Sequence, residues 1–161
     1  MEQFIGKISS YNLFNYLLSG IVFVILSSKF TSYNFIQGDI VIGVFVYYFI
    51  GLVISRFGSL IIEPMLKKFS FIKFAEYSQF LNASKKDDKI EILSEANNMY
   101  RTFCSVFLII ILLKLYEIVE VKLLINHTFS AYLLLISLLV MFIYSYKKQS
   151  NYIVKRVNNS N

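Results

Sequence analysis

Four apolar runs, at residues 13–28, 40–54, 103–113 and 129–146, alternate with two short polar connections and one long mixed segment. A helix rises about 1.5 Å per residue, so roughly 20 residues cross a hydrocarbon core about 30 Å thick. Each run reaches that length once its flanks are included, and the pattern predicts transmembrane helices at about 11–28, 40–62, 100–118 and 128–146. The expected fold is all-α: a polytopic membrane protein with four transmembrane helices in two hairpins. A helical cytoplasmic segment, 63–99, joins spans two and three, and a basic cytoplasmic tail, 147–161, completes a single membrane domain over 1–161.

Within the spans, the departures from apolar character carry the information. Gly43, Gly51, Ser55, Gly58 and Ser59 punctuate span two, and Gly51, Ser55 and Gly58 share a helical face. Lipid tails give helices no hydrophobic reason to associate, so small residues that permit close backbone approach mark a packed surface. That surface is expected either within the chain or between copies in an oligomer. Arg56 falls near the inner end of span two, where its stem can snorkel to the interface or its guanidinium can meet a buried carboxylate or a lipid phosphate. Glu63-Pro64 is expected to end or kink the span. Lys114 and Glu117, three apart near the outer end of span three, form an expected surface pair or an intramembrane polar path. Tyr132, Tyr144 and Tyr146 bracket span four as an interfacial belt.

The central segment changes character halfway. Phe69, Phe71, Ile72, Phe74, Ala75, Tyr77, Phe80 and Leu81, interleaved with Lys67, Lys68 and Lys73, suit a helix lying at the membrane interface or packed on the ends of the spans. After a polar break at 84–88, Asp87 or Asp88 is placed to cap a helix. Ile90, Leu93, Asn97, Tyr100 and Cys104 then recur at helical spacing, which predicts one continuous helix from about 88 to 118. Phe71, Phe74, Tyr77, Phe80, Ile90, Leu93 and Tyr100 are the expected partner surface.

The chain has 161 residues, is 57% hydrophobic, and carries a formal charge of +6. That excess would suggest nucleic acid if it were spread over a soluble surface, but eight basic residues lie between Arg56 and Arg101 and four more in the tail. The outer connections are poor in charge, so the positive-inside rule puts both termini and the central segment in the cytoplasm. The expected partners are the lipid bilayer, a second copy of the chain and a cytoplasmic protein, with no nucleic acid.

The N-terminus, which carries Lys7, lacks the basic region and cleavage site of a removable leader, so span one is expected to remain as an anchor. A single cysteine, Cys104, permits no internal disulfide and reads as a packing residue. The one histidine, His127, is expected in an outer loop, which leaves no triad and no histidine-rich metal site. Phosphate-cradling glycine motifs are absent, and Asp87, Asp88, Glu91 and Glu95 read as a solvated helix start. No catalytic residue, cofactor or metal is expected.

The stretches Ser55-Arg56-Phe57-Gly58-Ser59-Leu60-Ile61-Ile62-Glu63-Pro64 and Asn97-Asn98-Met99-Tyr100-Arg101-Thr102 resemble small uncharacterised four-span proteins of bacteria. Proteins of that plan serve as membrane components of multi-gene systems, including anti-phage defence. The resemblance implies a bacterial inner-membrane subunit that is not an enzyme, oligomerises, and couples its cytoplasmic segment to a partner, as sensor, channel former or membrane-disrupting effector. It transfers no site residue. Two other classes stay open: a small transporter or channel using Arg56, Lys114 and Glu117, and a membrane-embedded enzyme acting on lipid through Arg56, Glu63 and the 87–95 acidic cluster.

Overall fold

A computed structural model describes residues 2–159, with side chains from Tyr11 onward. The charge at Lys7 and the last two residues of the tail lie outside what is described. The elements are α1 (Glu2–Phe30), α2 (Ile40–Phe57), a π-helical turn (Gly58–Ile62), α3 (Glu63–Lys68), α4 (Tyr77–Ser84), α5 (Lys89–Leu123) and α6 (His127–Asn158). The protein is all-α, and four helical stretches, Tyr11–Phe30, Ile40–Lys68, Lys89–Leu123 and His127–Asn158, are long and apolar enough to cross a bilayer. Short connections at 31–39 and 124–126 make two antiparallel hairpins. One end of the bundle, the basic end, therefore gathers the start of α1, the ends of α2 and α6, and the start of the apolar part of α5. The other, the loop end, gathers the two connections.

Three helices form the core. Phe23 and Val24 of α1, Ile54 of α2, and Val106 and Ile110 of α5 are buried against one another. Glycine sets the closest approach. A Cβ added at Gly20 would collide with the Tyr47 carbonyl oxygen, and one at Gly51 with the Tyr16 carbonyl oxygen, so α1 and α2 touch backbone to backbone in a reciprocal pair. The fourth helix stands apart: α6 has no buried residue and meets the core through a Phe49–Phe142 ring stack and a few polar contacts.

Three expectations are corrected. Pro64 does not end span two: the helix widens into a π turn, in which the Glu63 N–H reaches the Gly58 carbonyl, and then continues to Lys68. Proline lacks only the N–H that the same wide register would pair with Ser59, so the chain stays helical and the Ser59 carbonyl is left open. The aromatic half of the central segment is not one helix. Ser70 adopts a left-handed φ of 55°, and Phe71 and Ser70 donate to the Leu66 and Lys67 carbonyls in a Schellman stop, so only 77–84 is helical there. His127 is the first residue of α6 rather than a loop residue, because Asn126 caps the helix by accepting the Thr128 N–H at 2.9 Å. In the expected tail, α6 runs unbroken to Asn158. The continuous helix through 88–118 is present as part of α5, with the Asp87 side chain accepting the Lys89 N–H at 2.9 Å.

Candidate functional site

At the basic end, the π turn and α3 point a carboxylate inward. Glu63 is 6% exposed, and an isolated buried carboxylate would be strongly unfavourable. Three cations from three elements surround it. Arg101 of α5 donates to Oε2, Lys67 of α3 lies 3.2 Å from Oε1, and Lys148 of α6 lies 3.5 Å from Oε1. Lys148 also donates to the Ser59 carbonyl and hydroxyl, both at 2.7 Å. The carbonyl opened by Pro64 is thus taken by a lysine from the otherwise detached helix. Lys67 has a second contact, its ammonium lying 3.9 Å above the Phe74 ring in the non-helical aromatic loop. One carboxylate therefore ties α3, α5 and α6 together, and through Lys67 the loop at 69–76.

Just inside this knot runs a column of small polar groups. Asn15, Ser19, Ser55, Thr102 and Ser105 are all buried. The hydroxyls of Thr102 and Ser105 return to carbonyls one turn back, Asn98 and Arg101, at 2.8 Å each, and so present little polarity to neighbouring helices. Asn15 Nδ2 reaches Thr102 Oγ1 at 3.4 Å, while its Oδ1 and the Arg101 Nε have no hydrogen-bond partner. Gly58 packs on Ser105 and Arg101, where a Cβ would collide with the serine hydroxyl.

The expected site residues fall as follows. Gly51, Ser55, Gly58 and Ser59 face α1, α5, α5 and α6 of the same chain, whereas Gly43 faces the Tyr47 ring of its own helix. Arg56 is half-buried and donates to the Tyr16 hydroxyl at 3.1 Å. Lys114 and Glu117 pair at 3.1 Å at the loop end, where Glu117 also accepts the Ser32 N–H. The expected partner surface divides. Phe74, Phe80, Ile90 and Leu93 line one shallow groove between the aromatic loop, α4 and α5. Phe71 protrudes at 79% exposure, Tyr77 is half-buried, and Tyr100 is exposed outside that groove.

Sequence reasoning named Glu63 as a span end and as one residue of a possible lipid-acting site, and missed Arg101, Lys148, Asn15, Thr102, Gly20 and, at the loop end, Glu120. The available signal was polarity inside apolar runs: Asn15 and Ser19 one turn apart in span one, and Thr102 and Ser105 at the mouth of span three. At the loop end Glu120 is also buried, accepting the Tyr33 hydroxyl and the Ser130 hydroxyl, with His127 Nδ1 at 3.3 Å. Burial, and then this hydrogen bond, push the Tyr33 phenol far above its ordinary range, so it remains the donor.

Chemically, the Glu63 carboxylate is saturated by cations and serves as a tie rather than a proton acceptor. Among the described residues no three His, Cys, Asp or Glu side chains are grouped to hold a metal. No protein-family model matches the chain, and no curated protein or solved structure matches it.

Proposed function

We propose that the chain is a non-enzymatic subunit of a bacterial inner membrane that couples its cytoplasmic segment to the position of α6 within the bilayer. The carrying observation is the sharing of Lys67. Its ammonium contacts the Phe74 ring of the aromatic loop and the Glu63 carboxylate, and Glu63 in turn pairs with Lys148 of α6. A partner that engages the loop and draws Phe74 away from Lys67 changes the cation shell of Glu63, and with it the hold on a helix that has no buried residue. Such a plan suits a sensor, or a channel-forming or membrane-disrupting effector, in a multi-gene system such as anti-phage defence, with both termini cytoplasmic.

Homo-oligomerisation belongs to the same proposal. Because Gly20, Gly51 and Gly58 are taken up by packing within the chain, contact between copies falls to other faces. The mass of the purified protein in detergent checks that part.

The coupling is tested on protein in proteoliposomes, with Cys104→Ser and spin labels at positions 61 and 141, which face each other across the groove between the π turn and α6. Phe74→Ala and Lys67→Met are expected to broaden and lengthen the label distance and to raise leakage of an encapsulated dye. Unchanged distances and unchanged leakage in both variants would remove the basis of the proposal.

A further inference from the structure

We infer that the loop end carries a binding site for a small organic cation with an apolar body. Between the 31–39 connection, α5 and α6 lies a cavity of about 370 Å³, within the range of small-molecule sites. Its chemistry is graded. Glu120, Tyr33, Tyr116, Ser130 and His127 line one part, and Phe35, Leu113, Leu133 and Leu134 line the rest.

Among the described residues no lysine or arginine pairs with the carboxylate at the polar part. The Glu120 side chain is 9% exposed, yet its partners are the hydroxyls of Tyr33 and Ser130 and the imidazole of His127. Lys114, less than two turns back on α5, is committed to Glu117. Buried charges are ordinarily paired, and the contrast with Glu63 and its three cations is internal to this molecule. The cavity beside Glu120 is where a counter-cation fits. Aromatic rings in the same walls, Tyr33, Phe35 and Tyr116, favour an ammonium over a metal ion, since ring faces attract quaternary and substituted ammonium groups. The leucine-lined remainder accepts an apolar substituent and little else that is polar. An inorganic cation would leave that part empty, and an anionic or zwitterionic lipid head would place negative charge beside a buried carboxylate.

The probe is radiolabelled benzyltrimethylammonium, measured by equilibrium binding to the full chain in nanodiscs, with empty nanodiscs as the blank. Its neutral isostere, neopentylbenzene, serves as competitor. Saturable binding at one site per chain is expected, with the isostere at least tenfold weaker. Glu120→Gln keeps the shape and removes the charge, and is expected to lower affinity at least tenfold. Ala131→Phe fills the cavity from an exposed position without touching the Glu120 hydrogen bonds, so it reports even if Glu120→Gln does not fold. His127→Lys supplies a resident cation next to Glu120 and is expected to weaken binding several-fold. Equal competition by the neutral isostere, or wild-type affinity in the Ala131→Phe and His127→Lys variants, overturns the assignment.

Discussion

Each end of the bundle buries one glutamate, and the two are treated in opposite ways. Glu63, at the basic end, is met by Arg101, Lys67 and Lys148 from three elements. Glu120, at the loop end, is met by two hydroxyls and an imidazole. A carboxylate surrounded by cations fixes the groups around it, because moving any one of them leaves another charge unpaired in a poorly solvated place. A carboxylate met by two hydroxyls and an imidazole, with no lysine or arginine paired to it, keeps more of its field for something else. The difference suits the Glu63 carboxylate to holding helices together and leaves the Glu120 carboxylate to the proposed cation site. It also explains why α6 can be so loosely packed: its C-terminal half is anchored through Lys148 rather than by buried area.

The largest effect expected is an asymmetry between two identical substitutions. Glu63→Gln leaves Arg101 and Lys148, 20% and 27% exposed, without their counter-charge, and removal of one partner of a buried pair costs several kcal/mol. Because both cations retain some solvent, about 3 kcal/mol is expected. Glu120→Gln strands no buried lysine or arginine, since its one basic neighbour, His127, is 93% exposed, and it keeps an acceptor for Tyr33 or Ser130, so its cost is expected to be well below that at Glu63. Unfolding in mixed micelles, followed by circular dichroism, gives both values. Equal losses would break the distinction between the two ends.

Packing between the ends supplies the next effect. Gly51→Ala puts a methyl group into the Tyr16 carbonyl oxygen, and neither backbone can yield without separating α1 from α2. A loss of about 2 kcal/mol is expected, in the range for overpacked cores. Gly43→Ala, whose neighbours are at 3.4 Å and beyond and are side-chain atoms, is expected to be nearly neutral. A large effect at Gly43 and none at Gly51 would move the tight contact elsewhere.

The split between these two glycines marks how far the sequence could be read. Runs of apolar residues announce spans because the bilayer demands length, and the Lys114–Glu117 pair was legible because its members sit three apart on one helix. The Asp87 cap was legible for the same local reason. The knots were not, because Glu63 and Arg101 are 38 residues apart and Ser59 and Lys148 are 89 apart. In one dimension Lys148 is simply a basic residue after an aromatic belt, although Tyr144, Lys148 and Tyr152 keep a four-residue step. Helix stops at Ser70 and Leu124 were hidden too, since left-handed turns there are made without glycine. Gly20 stood alone in an apolar run and became informative only opposite Tyr47.

A smaller effect tests the device at Pro64. Lys148→Met removes the ammonium from the Ser59 carbonyl, the Ser59 hydroxyl and Glu63, and is expected to destabilise by about 1–2 kcal/mol. Pro64→Ala returns an N–H that can serve the Ser59 carbonyl along the helix, so part of the need for Lys148 disappears. In a double-mutant cycle Lys148→Met should therefore cost less on the Pro64→Ala background, by about 0.5–1 kcal/mol. Additive losses would mean that Lys148 works through Glu63 alone.

The smallest expected effect separates stability from recognition at the basic end. Phe71 is 79% exposed, whereas Phe74, seven residues after Lys67, lies beneath the Lys67 ammonium. Exposed residues away from special contacts change stability by less than about 0.5 kcal/mol, so Phe71→Ser should leave the unfolding midpoint where it is. Under the proposed coupling its consequence is expected in association alone: retention of a protein engaging the aromatic loop should fall for the full chain in detergent, while Phe74→Ala lowers both retention and the rigidity of α6. Loss of partner retention in Phe74→Ala without any change at α6 would separate recognition from the knot and leave Glu63 as a purely structural tie.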